Sequence, residues 1–481
     1  MFRSLVTLLA LAPLACCVDH DRASIPEGVE ETASCAGAAA DAPAIVVADR
    51  RLCGLGEFPV DAILGDYHDD AIDGYTLDAD RFTAELDAAF TAARPRGYAW
   101  VLVRGSADFD ARVIARGSGG LALSAADAGG PAVPFAPETP SNLGSVTKFL
   151  AALALVHAHA HAQAGRPEGE RASLRALLQV PFVELLPERW QARYAVDNGL
   201  ADVRVGELLL HTSHLVAAGG DPEVDDIVEG LDHNAGVDAL ADAPLDYSNL
   251  NYRLLYPLIA ALLDPQALRA VEREAADRCD QDFDDRYLRA AAAITREHLR
   301  GVVLDAVPGA MPATECDPER LGADWERRYA RAYRDDADER GHHYNSFREN
   351  RGYCSTTGGW FASADDLGAL LWSYHNGLLI DDDDRAVLEG GSGMGWFILG
   401  RPLLDLGDPA LAAEVGGLGV LRKHGAQPIR GEDDVYRASI YKLPYAHYVA
   451  LVVNSSYGDG SSQGNRTLDV LDAFAAAITV E

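Results

Sequence analysis

The chain has 481 residues, 74 acidic and 41 basic, for a formal net charge of −33. At roughly 100–200 residues per domain, this length allows two or three domains or one large composite one. The acidity excludes a basic nucleic-acid footprint and disfavours anionic membrane surfaces and polyanionic substrates, and no apolar stretch of about 20 residues follows the N-terminus. Only three of the basic residues are lysine: Lys148, Lys423 and Lys442. So rare a use of lysine suggests chemistry that arginine cannot do.

Residues 1–17, MFRSLVTLLALAPLACC, read as a secretory signal, with Arg3 as a short positive region and Leu5 to Ala15 as an apolar run too short to span a bilayer. The ending Leu14-Ala15-Cys16-Cys17 resembles a bacterial lipobox, so Cys16 or Cys17 is the expected lipid attachment point, with plain secretion as the alternative. Export implies an oxidising compartment. Of the other five cysteines, Cys35/Cys53 and Cys279/Cys316 are plausible local pairs, leaving Cys354 free.

Residues 18–77 read as an acidic tether and N-terminal arm. Apolar residues at helical spacing predict a helix over Arg81–Ala93, stopped by Pro95. Tyr98–Arg104 and Ala111–Arg116 read as a hairpin. Residues 141–345, rich in Ala, Leu and Arg, are expected to form a helical domain. Strand character returns at Trp396–Leu399, Ser439–Leu443 and Tyr448–Asn454, before a closing helix at Leu468–Ile478. The order predicts an α/β fold of the α+β kind. An antiparallel sheet flanked by helices is built from both chain ends (78–140 and 346–481), with an all-α domain inserted between them. The acidic runs Asp381–Asp384 and Asp335–Glu339 read as solvated loops, not metal sites.

Ser145-Val146-Thr147-Lys148 is an S-x-x-K at the start of the apolar run FLAALALV. Positions i and i+3 share a helix face, so the Lys amine lies over the Ser hydroxyl. Unpaired N–H groups at a helix start favour a developing oxyanion, and burial can bring a lysine towards base-competent pKa values. Tyr247-Ser248-Asn249 lies in a polar turn, and a phenol near lysines can relay protons. A second Y-x-N, Tyr374-His375-Asn376, precedes Gly377 and reads as a helix C-terminus. Lys423-His424-Gly425-Ala426 ends a β-like run, GVLRKHGA. On an edge strand facing Ser145, Lys423 would offer a point charge to a substrate carboxylate. Gly425 would permit close backbone approach, and the Ala426 N–H would complete an oxyanion hole with that of Ser145.

Competing motifs are weaker. Gly460-Ser461-Ser462-Gln463-Gly464 is formally G-x-S-x-G but lacks both a directly preceding strand and a later histidine. His157, His159 and His161 alternate with Ala, and only His157 and His161 share a helical face, so a solvated helix is expected, not a metal site. His211 and Ser213 are expected to hydrogen-bond within a loop.

Together the three motifs resemble the serine β-lactamase and penicillin-binding protein superfamily, closest to its class C and D,D-peptidase/esterase branch. The resemblance runs over about 400 residues. GYAWVLVR and VIARGSGG are similar to that family's first hairpin, NLGSVTKFLAAL to its nucleophile helix and LLLHTSHL to its Leu-Leu-x-His-Thr-Ser-Gly-Leu segment. DYSNLNYRLL is similar to its Tyr-Ser-Asn stretch and STTGGWFASADDLGALL to its Gly-Gly-x-x-Ser-x-x-Asp-Leu segment. The resemblance implies Ser145 as nucleophile, Lys148 as base, Tyr247 as proton relay, Asn249 as a substrate amide contact and Lys423 as a carboxylate contact. Two departures stand out. Lys-His-Gly replaces the usual Lys-Thr-Gly or His-x-Gly, so the register could instead be His424-Gly425-Ala426. The following loop, PIRGEDD, is acidic, which disfavours anionic substrates.

The implied protein is an exported serine hydrolase, in the periplasm or cell envelope and lipid-anchored. It acts through an acyl-enzyme on a small-molecule or peptide substrate with an amide, ester or lactam carbonyl, without cofactor or metal. The alternative is a catalytically weak or inactive envelope protein that keeps the fold to bind a partner.

Overall fold

A computed structural model describes residues 44–47, 50–53, 75–216, 226–237, 239–240, 247–278, 282–308, 314–316, 327–333, 340–341, 356–390, 394–399, 420–427, 436–455 and 463–480. Residues 1–43, with Cys16, Cys17 and Cys35, lie outside them, as do Cys279, Cys354, Ser461, Ser462, the Asp335–Glu339 run and the PIRGEDD loop. The chain forms two compact units. A sheet unit comprises Pro59–His157 and His298–Glu481, and a helical unit comprises Ala158–Glu297 with Met1–Phe58.

In the sheet unit, helix α1 (Ala79–Ala93) begins where the Asp78 carboxylate accepts the Arg81 N–H at 3.0 Å. Phe82, Leu86, Phe90 and Ala93 recur at helical spacing and are buried. The main sheet contains β1 (Gly97–Arg104), β2 (Val113–Leu123), β3 (Val133–Pro134), β4 (Phe397–Leu399), β5 (Val420–Gln427), β6 (Tyr436–Leu443) and β7 (His447–Val453). Their order is β3-β2-β1-β7-β6-β5-β4, antiparallel throughout. The β1–β7 seam, from His447↔Arg104 to Val453↔Tyr98, joins the two ends of the chain, as expected from the element order. Helix α4 (Gln463–Ala477) packs with α1 over one face, where Trp100, Leu102, Tyr441, Val449, Leu451, Leu471 and Phe474 form the core.

The second hairpin strand is longer than its apolar pattern suggested. Phe109–Ala111 is a 3₁₀ turn, and β2 continues through Gly117 and Gly119. A Cβ on Gly117 would lie 2.6 Å from the Trp100 indole, and one on Gly119 would lie 2.7 Å from the Tyr98 ring. The glycines therefore make room for their cross-strand aromatic partners, which cover the strand in place of its own side chains. The closing helix ends at Ala477, and Ile478–Val480 instead pairs with Tyr75–Leu77. The Asp381–Asp384 run is not a loop. Asp381 caps the helix Asp382–Gly390 by accepting the Asp384 N–H at 2.8 Å, and the next three acids occupy its first turn.

On its other face the sheet carries helix α3 (Ala364–His375), whose Gly368 sits against Val101 and Val103. This helix ends at His375 with Asn376 as its cap, so Tyr374 marks a helix C-terminus, as the sequence suggested. Cys316 is disulfide-bonded, and Cys279, its expected partner, lies outside the described residues.

In the helical unit, Asn249–Leu263, whose stretch Leu255–Leu262 is buried, meets Pro265–Ala275 at a bend of 104°. Leu254, Leu255, Leu258 and Ile259 are buried, as are Leu208 and Leu209 of the helix Val205–Leu210. His159 is buried and bonds the Ala172 carbonyl at 2.9 Å, so its side of the helix is packed, while His161 is exposed as expected. Burial lowers the His159 pKa below the ordinary imidazole value.

Candidate active site

Ser145 sits in a tight 3₁₀ turn, Gly144–Val146, that feeds helix α2 (Thr147–Ala164). The turn is anchored from three sides. Strand Ser141–Asn142 pairs with Phe361–Ala362, Leu143 N–H donates to the Trp360 carbonyl at 2.8 Å, and the Asn142 side chain accepts the Gly144 N–H at 2.7 Å. From Ser141 to Val156 every residue is buried except Ser145, which is partly exposed. Phe149, the first residue of the apolar run, packs on Trp396 and Tyr374 at centroid distances of 4.7 and 5.3 Å and holds the helix start in place.

Residues i and i+3 also eclipse in a 3₁₀ turn, so the S-x-x-K spacing still brings its two side chains together. Lys148 is 0% exposed, and its Nζ donates to Ser145 Oγ at 3.3 Å and to the Thr357 carbonyl at 2.7 Å. Both acceptors are neutral oxygens. The Thr357 carbonyl fixes the amine over the hydroxyl, a role the sequence did not reveal, because a backbone carbonyl leaves no residue-type signal.

Strand β5 presses on this turn at Gly425. A Cβ built there would lie 2.0 Å from the Leu143 carbonyl oxygen, 2.4 Å from the Ser145 nitrogen and 2.8 Å from the Gly144 carbonyl carbon. Only a residue without a side chain fits, so glycine is needed at 425 and the Lys-His-Gly register matches the contact. The following residue, Ala426, continues the strand beside the same turn. Lys423 lies two residues before Gly425 and so leaves the strand on the same face. It is buried, and burial lowers its pKa from the ordinary lysine value to about 7. His424 points to the opposite face, across from Ser439 on β6. Burial, then the positive charges of Arg422, Lys423 and Arg437, lower it to about 4. Strand β5 is not a sheet edge along its whole length. β4 pairs with Val420–Arg422, and its ladder stops before Lys423.

Tyr247 and Asn249 belong to the helical unit. Tyr247 is 43% exposed, and its ring lies against the His211 imidazole with centroids 4.2 Å apart and planes 30° apart. Asn249 opens the short helix Asn249–Arg253, with Ser248 at its N-cap position. Ser213 bonds within its loop, accepting the Leu215 N–H, but both Ser213 and His211 also bond out of the loop, to the buried Asn251 on the helix Asn249–Arg253. The structure thus groups Ser145, Lys148, Lys423 and Gly425 in the sheet unit, and Tyr247, Asn249 and His211 in the helical unit. Among the described residues no group of three or more His, Cys, Asp or Glu is arranged to hold a metal ion.

Known proteins bear on this arrangement. The family model for beta-lactamase matches residues 84–398. The fold is similar to the octameric penicillin-binding protein homologue from Pyrococcus abyssi, with a TM-score of 0.52 and 17% identity over 82% of this chain and 77% of that one. It is also similar to a class C beta-lactamase from Rhodobacter sphaeroides, with a TM-score of 0.50 and 15% identity over 82% of this chain and 98% of that one. A third similar structure is EstCE1, a hydrolase with promiscuous acyltransferase activity, with a TM-score of 0.50 and 17% identity over 82% and 98% of the two chains. No curated protein matches the chain.

Proposed function

The chain belongs to the beta-lactamase family, and from that premise we propose that it is an exported serine hydrolase working through an acyl-enzyme on Ser145. The observation that carries this reading is the fully buried Lys148, whose Nζ spans Ser145 Oγ and the Thr357 carbonyl beneath the one partly exposed residue of the segment. Ser145 Oγ attacks an amide, ester or lactam carbonyl carbon as its proton passes to a neutral Lys148 amine. The carbonyl oxygen becomes an oxyanion held by the backbone N–H groups of Ser145 and Ala426. The tetrahedral centre then collapses. The bond to the leaving nitrogen or oxygen breaks, and that atom takes the proton from Lys148 by way of the Tyr247 phenol. Water adds to the acyl ester, giving the acid and restoring the Ser145 hydroxyl.

Asn249 contacts the substrate amide, and Lys423 faces the substrate from β5; His424, expected as a further substrate contact, points to the opposite face of the strand. The solved relatives are described as a beta-lactamase, a penicillin-binding protein homologue and an acyl-transferring hydrolase, which supports a carbonyl substrate of one of these three kinds. The signal-like residues 1–17, with Cys16 and Cys17, support export and lipid anchoring, and a disulfide at Cys316, for which Cys279 is the expected partner, fits the same compartment.

Labelling the purified protein with a fluorophosphonate and, in parallel, with a fluorescent penicillin tests the reading. We predict an adduct on Ser145 that peptide mapping locates and Ser145→Ala abolishes. An adduct on Ser462, or on no serine, overturns the assignment.

A further inference from the structure

A phenol that relays protons must hold its hydroxyl in place, yet Tyr247 is among the most exposed large hydrophobic residues described. Its ring rests on the imidazole of His211. His211 is buried and is itself held from several sides. The Tyr252 ring lies 5.2 Å from it, and the Tyr252 hydroxyl donates to the Leu209 carbonyl at 3.1 Å. Asn251 Nδ2 lies 3.3 Å from His211 Nδ1, while Asn251 Oδ1 lies 2.6 Å from Ser213 Oγ. A separation of 2.6 Å suits O–H···O and is short for N–H···O, so the Ser213 hydroxyl donates to the amide oxygen. The amide NH₂ then faces His211 and donates to Nδ1, which places the ring proton on Nε2. The Leu215 N–H, donating to Ser213 Oγ at 3.1 Å, fixes the far end of the chain.

The backbone supports the same conclusion. His211 and His214 both adopt left-handed conformations, with φ of 57° and 59°, which non-glycine residues rarely do. His211 caps the helix Val205–Leu210, and its N–H bonds the Glu207 and Leu208 carbonyls. A loop that accepts two such residues around one hydrogen-bond chain is over-determined, as at sites where geometry matters.

We propose that His211 is the positioning residue for Tyr247, its imidazole, oriented by Asn251 and Ser213, forming the platform that aims the phenol. The inference rests on reading Tyr247 as the proton relay. It assigns His211 no contact with the reacting atoms.

The test is a double-mutant cycle read in the single-turnover acylation rate with a reactive ester, beside a thermal melt of each variant. Tyr247→Phe keeps the ring and removes the hydroxyl. It should slow acylation by about 10²-fold, the lower end of what a positioned acid–base group supplies. His211→Ala should slow it by about tenfold or more, while His211→Phe, which keeps a ring beneath the phenol, should stay within about threefold of the parent. In the Tyr247→Phe background, His211→Ala should cost no further rate, though its effect on the melting temperature persists. An equal rate loss in both backgrounds shows that His211 acts independently of the hydroxyl, and overturns the positioning role while leaving the relay intact. A Tyr247→Phe variant that acylates at the parent rate overturns the relay, and the inference with it. Equal losses for His211→Ala and His211→Phe also overturn the platform.

Discussion

The tightest contact in the active-site region is between two backbones, and Gly425→Ala probes it directly. The added methyl would begin 2.0 Å from the Leu143 carbonyl oxygen and 2.4 Å from the Ser145 nitrogen. Neither neighbour is a side chain that can rotate away. Reaching an ordinary separation requires β5 and the nucleophile turn to part by about 1 Å or more in an interior packed at crystal-like density. The turn is anchored by Asn142 and Trp360 and by the buried start of α2, so β5 is the element that yields. A shift of that size around reacting groups costs about 10² in rate, and loss of one oxyanion donor costs about 10²–10³. The overpacking itself should cost about 1–3 kcal/mol of stability. We therefore predict that Gly425→Ala folds, melts a few degrees lower and acylates at least about 10²-fold slower. Fluorophosphonate labelling measured under single-turnover conditions gives the rate, and calorimetry gives the melt. Gly301→Ala is the control, because nothing lies within 4 Å of a Cβ at that position. A folded Gly425→Ala protein that acylates at the parent rate would refute the reasoning. It would mean that β5 does not set the geometry at Ser145.

Three further predictions concern charge. Lys148→Arg should fold yet acylate about 10²–10⁴-fold slower, because a guanidinium cannot give up its proton near neutral pH; near-parental acylation would show that Lys148 is not the base. Lys442→Met should cost about 3–5 kcal/mol in denaturant unfolding, since it leaves the buried Glu389 carboxylate without the ammonium now 2.8 Å away; a loss under about 1 kcal/mol would contradict this. His424 has a folded pKa of about 4, below its ordinary value, so between the two the unfolded chain binds the proton and the folded chain does not. Its contribution to stability should therefore fall as pH drops through that window, and His424→Gln should flatten the slope of unfolding free energy against pH; an unchanged slope would refute the assignment.

What the sequence made legible was mostly local. Ser145 and Lys148 meet because three residues separate them, and the apolar run behind them forces burial whether the first turn is α or 3₁₀. Helix α1 and strands β1, β6 and β7 follow from apolar periodicity, and the sheet of two chain ends follows from their order. Other features depend on partners distant in sequence. The Thr357 carbonyl reaches Lys148 across 209 residues and carries no mark in the residue type. The glycines of β2 look like strand breakers until Trp100 and Tyr98 are seen lying over them. The aspartates at 381–384 look like a loop until Asp381 is seen capping a helix. His211 looked like an ordinary loop histidine, yet its side chain bonds Asn251 on a helix 40 residues away. Its contact with Tyr247 is visible only once the turn at 247 is brought alongside.

The three lysines show how composition and burial combine. All three are buried in a chain that otherwise uses arginine for positive charge. An ammonium on a flexible stem is narrower than a guanidinium, and a lysine can lose its proton where an arginine cannot. Lys423, whose pKa burial lowers to about 7, is therefore poised between charged and neutral on the same strand face on which Gly425 touches the nucleophile turn. Lys148, the proposed base, donates to neutral oxygens of Ser145 and Thr357. Lys442 differs, because its partner is a carboxylate, that of Glu389 at 2.8 Å. Burial alone thus does not separate a base from a structural cation. The partner does, and arginine at any of the three would bring a larger, permanently charged group into a space sized for an amine.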